Sequence, residues 1–174
     1  MPFYLRAINK NRWYRSAVPS WLPENDIPAQ PLADLIPRPE ENLSLWYIDD
    51  DRLNLKRVAA AIVSGRERID KFDYALFTQE AIEVAGLSVV QSVGKTPDEQ
   101  ANIDWHWEVP ELTADRVVRF AKAIYSRVET KRITPIVMRG LIVEALAAGQ
   151  LETKKISRRL LDDLQAGSVS SESV

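Results

Sequence analysis

The chain has 174 residues, 45% hydrophobic and 28% charged, with a net charge of −2. That is a globular composition, long enough for one domain with its own core. It contains no cysteine, which excludes disulfides, thiolate metal sites and a cysteine nucleophile.

No apolar run reaches bilayer length, and the start, MPFYLRAINK, mixes basic with apolar positions. A cytoplasmic chain without membrane contact is the expectation. The near-neutral total hides an asymmetry. Residues 24–51 hold eight acids against Arg38, whereas residues 116–159 hold eleven bases against Glu129, Glu144 and Glu152. An acidic stretch and a basic stretch in one chain point to charge recognition, within the molecule or with a partner.

FYLRAI, rich in aromatic and β-branched side chains, predicts a strand over 3–8. The basic, aromatic loop NKNRWYRS follows, in which Arg12, Trp13, Tyr14 and Arg15 offer both charge and stacking surface to a nucleic acid. Six of the ten prolines fall in 19–39. Proline fixes φ and removes a donor, so this stretch reads as an extended strap with at most a helical turn at PLADLI. LSLWYI predicts a strand over 43–48. Asp49, Asp50 and Asp51 then lead into a helix whose apolar positions Leu55, Val58, Ala59 and Ile62 recur at helical spacing before Gly65. The three aspartates suit helix capping better than metal binding.

Strands are expected at 73–77 and 87–93, with a short helix between them from Thr78 to Gly86. IDWHWEV alternates cleanly and predicts a strand over 103–109. That places Asp104, the single histidine His106, and Glu108 on one face, and Trp105 and Trp107 on the other. The first three, with Asp49, Asp50 and Asp51, are the candidate ligands of a metal-dependent hydrolase. A half-buried strand alternates in the same way without chemistry, so the sheet reading is preferred. No glycine-rich phosphate loop and no serine elbow is present. No cofactor is expected.

After Pro110 three helices are predicted, over 113–128, 135–149 and 153–165, and then a disordered tail, 167–174. The first has an apolar stripe at Val117, Phe120, Ala121, Ile124 and Val128, with Arg116, Arg119, Lys122 and Arg127 opposite. The last carries Lys154, Lys155, Arg158 and Arg159 towards its start, against the helix dipole. These eight bases form the expected partner-binding face. The middle helix is apolar nearly all round, which favours burial or a homo-oligomer contact through 135–148.

The fold class expected is α+β. Residues 1–110 form a small mixed sheet of four or five strands with short helices and the strap, and residues 111–166 form a helical part packed on it. The function expected is a non-enzymatic accessory, regulatory or neutralising subunit that binds a protein partner through the basic helices or the strap. A nucleic-acid binder using the Arg/Lys face and the RWYR loop is the second reading, and the hydrolase is the third.

Overall fold

A computed structural model describes residues 3–13, 22–23, 26–125 and 128–169. The chain folds as α+β. Six strands, β1 (Phe3–Ala7), β2 (Leu43–Ile48), β3 (Phe72–Thr78), β4 (Val90–Gln91), β5 (His106–Val109) and β6 (Glu129–Ile133), form one sheet in the order β4-β5-β2-β1-β3-β6. Every pairing is antiparallel, so the expected mixed sheet of four or five strands is corrected to six antiparallel ones. Six α-helices among the described residues complete the fold: α1 (Leu55–Ser64), α2 (Gln79–Val84), α3 (Glu99–Asp104), α4 (Ala114–Tyr125), α5 (Pro135–Ala147) and α6 (Arg158–Val169). Among the described residues no helix is long and apolar enough to cross a membrane.

Alternation along the strands splits the core in two. Leu5, Trp46, Ile48, Phe72, Tyr74 and Leu76 point to one face, where α1, α3, α5 and α6 bury Val58, Ala101, Met138, Ile142 and Leu160. Tyr4, Leu43, Leu45, Ala75, Phe77 and Val109 point to the other, under α2, α4 and the strap, with Leu35, Ile82, Phe120 and Ile124. Each fully buried Leu, Ile or Phe contributes about 1.5–3 kcal/mol. The interior strand β3 is buried or nearly so along its whole length, as covering on both sides requires.

Three local expectations fail for identifiable reasons. Residues 103–104 are helical because Asp98 caps α3, its carboxylate accepting the Ala101 amide at 2.9 Å. The strand therefore begins at His106, and the two tryptophans part: Trp105 joins the α1 side of the core and Trp107 the α4 side. Strand β4 keeps two of the seven residues expected to be extended. β6 runs between α4 and α5, where no strand was expected, so three uninterrupted C-terminal helices are not found. The last helix starts at Arg158, after a 3-10 turn at Thr153–Lys155, and extends to Val169, three residues into the expected tail.

The expected turn at PLADLI is a 3-10 turn, Gln30–Asp34. Thr134 caps α5 by accepting the Val137 amide, with Pro135 at its first position. Gly149, at φ +68°, ends that helix in the left-handed conformation glycine adopts without steric cost.

Candidate functional site

The acidic candidates do not converge. Among the described residues no group of three or more His, Asp or Glu could hold a metal ion. Asp49 is occupied at the entry to α1. Its Oδ2 accepts the Asn54 amide, and its own amide donates to the Asn54 side chain, both at 3.2 Å. Asp104 accepts from Gln100 at 2.7 Å, and Glu108 accepts from Asn42 at 2.9 Å. Asp49 thus braces the turn that enters α1, whereas the residue at the cap position is Asn54, whose side chain makes no cap bond to the helix.

The seven described members of the basic set do not form one face. α4 and α6 pack on opposite sides of the sheet, so their bases point away from each other. Several are already engaged. Arg119 pairs with Asp115 at 2.8 Å, and Lys122 with Asp26 of the strap at 3.0 Å. Lys154 and Lys155 both bind Glu152. Arg116 donates to the Glu111 carbonyl at 3.1 Å. Exposed pairs of this kind contribute about 0–1 kcal/mol each, but they lower the charge on offer. Arg158 and Arg159 are exposed and make no ion pair among the described residues; the i, i+4 pairs with Asp162 and Asp163 do not form. Arg127, Tyr14 and Arg15 lie outside the described residues.

In the rest of the RWYR loop the tryptophan faces inward while Arg12 stays exposed. Trp13 is 4% exposed and donates through Nε1 to Asp34 at 2.9 Å, while Arg12 pairs with the same carboxylate at 2.6 Å. A ring so placed is not presented to a nucleic-acid base. The strap binds basic side chains of the same chain, Asp34 with Arg12 and, at the surface, Asp26 with Lys122. The strap also leaves an apolar groove of about 410 Å³ against α4, lined by Leu32, Ile36, Pro37, Leu112, Val117 and Val118.

α5 carries three of the large exposed hydrophobic residues found among the described residues. Met138, Ile142 and Ala145 face the core. On the opposite side lie Ile136, Gly140, Val143 and Ala147, all exposed, with Ile136 84% and Val143 48% accessible; Val137 beside them is 55% accessible. The spacing 136, 140, 143, 147 is the 4-3-4 seam by which one helix packs along another. Only two charges lie on this helix, Arg139 and Glu144, one on each flank of the seam. Arg139 donates to the Asp163 carbonyl of α6; Glu144 makes no ion pair among the described residues.

His106 occupies a different kind of place. It is 5% exposed, its ring lies edge-on to Trp46 at 5.0 Å, and its Nδ1 meets the Ser92 hydroxyl at 2.8 Å. Burial pushes the imidazole below its ordinary pKa, with Glu108 partly opposing. Gly94 lies against it so closely that a Cβ there would stand 3.1 Å from the His106 ring and 2.6 Å from the Asn102 side-chain oxygen. Two adjoining cavities, of about 250 and 300 Å³, share His106, Ser44 and Lys95.

No protein-family model, curated protein or solved structure matches the chain.

Sequence reasoning found His106 and the apolar character of α5. It missed Ser44, Ser92 and Lys95, which carry no local pattern and are gathered around His106 by pairing of distant segments. It missed Ile36 and Val118 because an isolated apolar residue carries no sign of its exposure.

Proposed function

We propose that this chain is a binding subunit, not dependent on a reactive centre, that pairs with a second copy of itself through α5. One observation carries this reading: the outward side of α5 is an apolar helix-packing seam on a helix whose inward side already fills the core. Exposed contiguous apolar surface rimmed by charge marks an interaction site. The flanking charges favour a second copy. In a parallel pair of helices meeting along this seam, a residue on one flank faces the residue five positions on in the partner. That spacing sets Arg139 of one copy opposite Glu144 of the other, twice over by symmetry. Pairing there leaves the Ile36–Val118 groove open on the opposite side of the sheet, where a further component of an assembly would dock.

A nucleic-acid reading has less support, because the bases are divided between two sides of the sheet and Trp13 is buried. The test uses two full-length variants. Arg139→Glu alone and Glu144→Arg alone each place like charges across the seam, and each is expected to weaken self-association several-fold. An equimolar mixture of the two is expected to recover it, since every cross-pair is then attractive. Sedimentation velocity reads the outcome, with circular dichroism confirming the fold. A mixture that stays as dissociated as its components would overturn the parallel pairing.

A further inference from the structure

We propose that the cleft around His106 binds a small zwitterion, a molecule with an oxyanion at one end and an amine at the other. The reading is independent of pairing through α5 and rests on where unpartnered polar groups collect.

The cavity of about 300 Å³ lies where β1 and β2 splay, and is lined by Arg6, Ser44, Lys95, Thr96 and His106 among others. The side-chain hydrogen bonds of Arg6 there go to carbonyls, with the Asp34 carboxylate supporting its charge from beyond ion-pair distance. Its Nε donates to Asp34 O at 2.9 Å and one terminal nitrogen to Ser44 O at 3.0 Å, leaving the other terminal nitrogen unused. No carboxylate lies within ion-pair distance of it among the described residues. Lys95 is exposed and equally unpaired, and the Ser44 hydroxyl has no protein partner among them. His106, nine-tenths buried, spends Nδ1 on Ser92 and keeps Nε2. Buried polar groups are normally satisfied by protein or water. A cluster of two cations, a hydroxyl and an imidazole nitrogen with vacant capacity is what a carboxylate or phosphate takes up. Such groups outweigh the unfavourable carbonyl end of α1, which reaches the same cavity at Gly65.

The adjoining cavity has the opposite sign. Glu40, Glu41 and Glu108 line it and meet the first cavity at Ser44, Lys95 and His106. Glu40 sits at φ +63°, a conformation rare for a side-chain-bearing residue and held here on the wall of a cleft. An amine at this end and an oxyanion at the other match both halves. A purely anionic ligand would leave the glutamates repelling it.

The wall between them is rigid before any ligand arrives. The Asn102 side chain ties the loop after Gly94 by accepting from the Thr96 amide and hydroxyl and donating to the Thr96 carbonyl. Asp98, in the same loop, is locked to Arg57 by two bonds of 2.7 and 2.9 Å. A site held in place by its own contacts loses little entropy on binding.

The test titrates the full chain with phosphoethanolamine, 4-aminobutyrate, inorganic phosphate and ethanolamine, following the single histidine's ring resonances by NMR. Saturable movement of the His106 signals with either zwitterion is expected. The affinity should exceed that for phosphate or ethanolamine alone by about tenfold and fall about tenfold in Lys95→Ala and in Glu41→Gln. Both residues are exposed, so the fold survives these changes. Whichever zwitterion binds more tightly identifies the oxyanion. Failure of all four probes to saturate, equal binding of phosphate alone, or full binding by Lys95→Ala would each overturn the proposal.

Discussion

Asp98 shows how much one buried side chain can govern. It is fully buried, caps α3 through the Ala101 amide and takes a two-bonded Arg57. Removing the carboxylate leaves the guanidinium without its counter-charge and the helix without its cap. Asp98→Ala is expected to cost about 3 kcal/mol, the low end for a broken buried pair because Arg57 keeps some contact with water. Urea unfolding measures it, and a loss under about 1 kcal/mol would contradict the assignment. His106 gives a pH dependence with a definite sign. Burial holds its folded pKa below the unfolded value of about 6.5. The unfolded chain therefore takes up a proton first as the solution is acidified. This contribution to stability is complete above about pH 6.5 and is lost as pH falls through the folded pKa. Chemical denaturation between pH 7.5 and 5 should show stability declining, and the decline should vanish in His106→Gln. Flat stability in the wild-type chain would contradict a buried neutral ring. At this scale the sequence named the histidine but not its neighbours, since Ser92 and Lys95 reach it only through the loop that Asn102 ties down.

Among the elements, the long periodic ones were legible and the short polar ones were not. β1, β2, β3, α1, α4 and α5 lie close to where apolar content puts them, and for α1 and α4 the buried stripe recurs at the helical period. β6, ETKRI, escaped notice because an edge strand needs only one partner and keeps its charges outward, with Arg132 bonded to Asp73 of β3 at 2.6 Å. α3 was hidden by alternation across Asp104, His106 and Glu108. The competing signal, an aspartate with glutamate in the next position, was the capping chemistry that prevailed. Gly140 belongs here too. A Cβ at that position would meet nothing within 4 Å, so nothing inside the chain requires glycine in the middle of α5. Gly140→Ala should raise stability by about 0.5–1 kcal/mol through helix propensity. If α5 packs against a second copy, the same change should also weaken pairing, because the added methyl group stands in the seam. Thermal unfolding at low concentration and sedimentation at high concentration separate the two effects. A variant no more stable than the parent would contradict the first, and one that pairs as tightly would contradict the second.

For the whole molecule, the sheet decides which surfaces can cooperate. Composition revealed an acidic segment and a basic one but not that they meet, as Asp26 does Lys122, nor that Asp34 of the strap is taken by Arg12 near the start of the chain. Nor did it reveal that α4 and α6 look outward from opposite sides, which depends on how the strands between them pair. At this scale the proposed pairing rests on the apolar seam of α5. The most direct measurement is therefore the mass of the full chain in solution by sedimentation equilibrium, beside Val143→Glu, which puts a charge in the seam at an exposed position. Twice the chain's 19.8 kDa is expected for the wild-type protein and a single 19.8 kDa species for the variant. A wild-type chain that stays monomeric at every concentration, or a variant that keeps the doubled mass, would contradict pairing through α5.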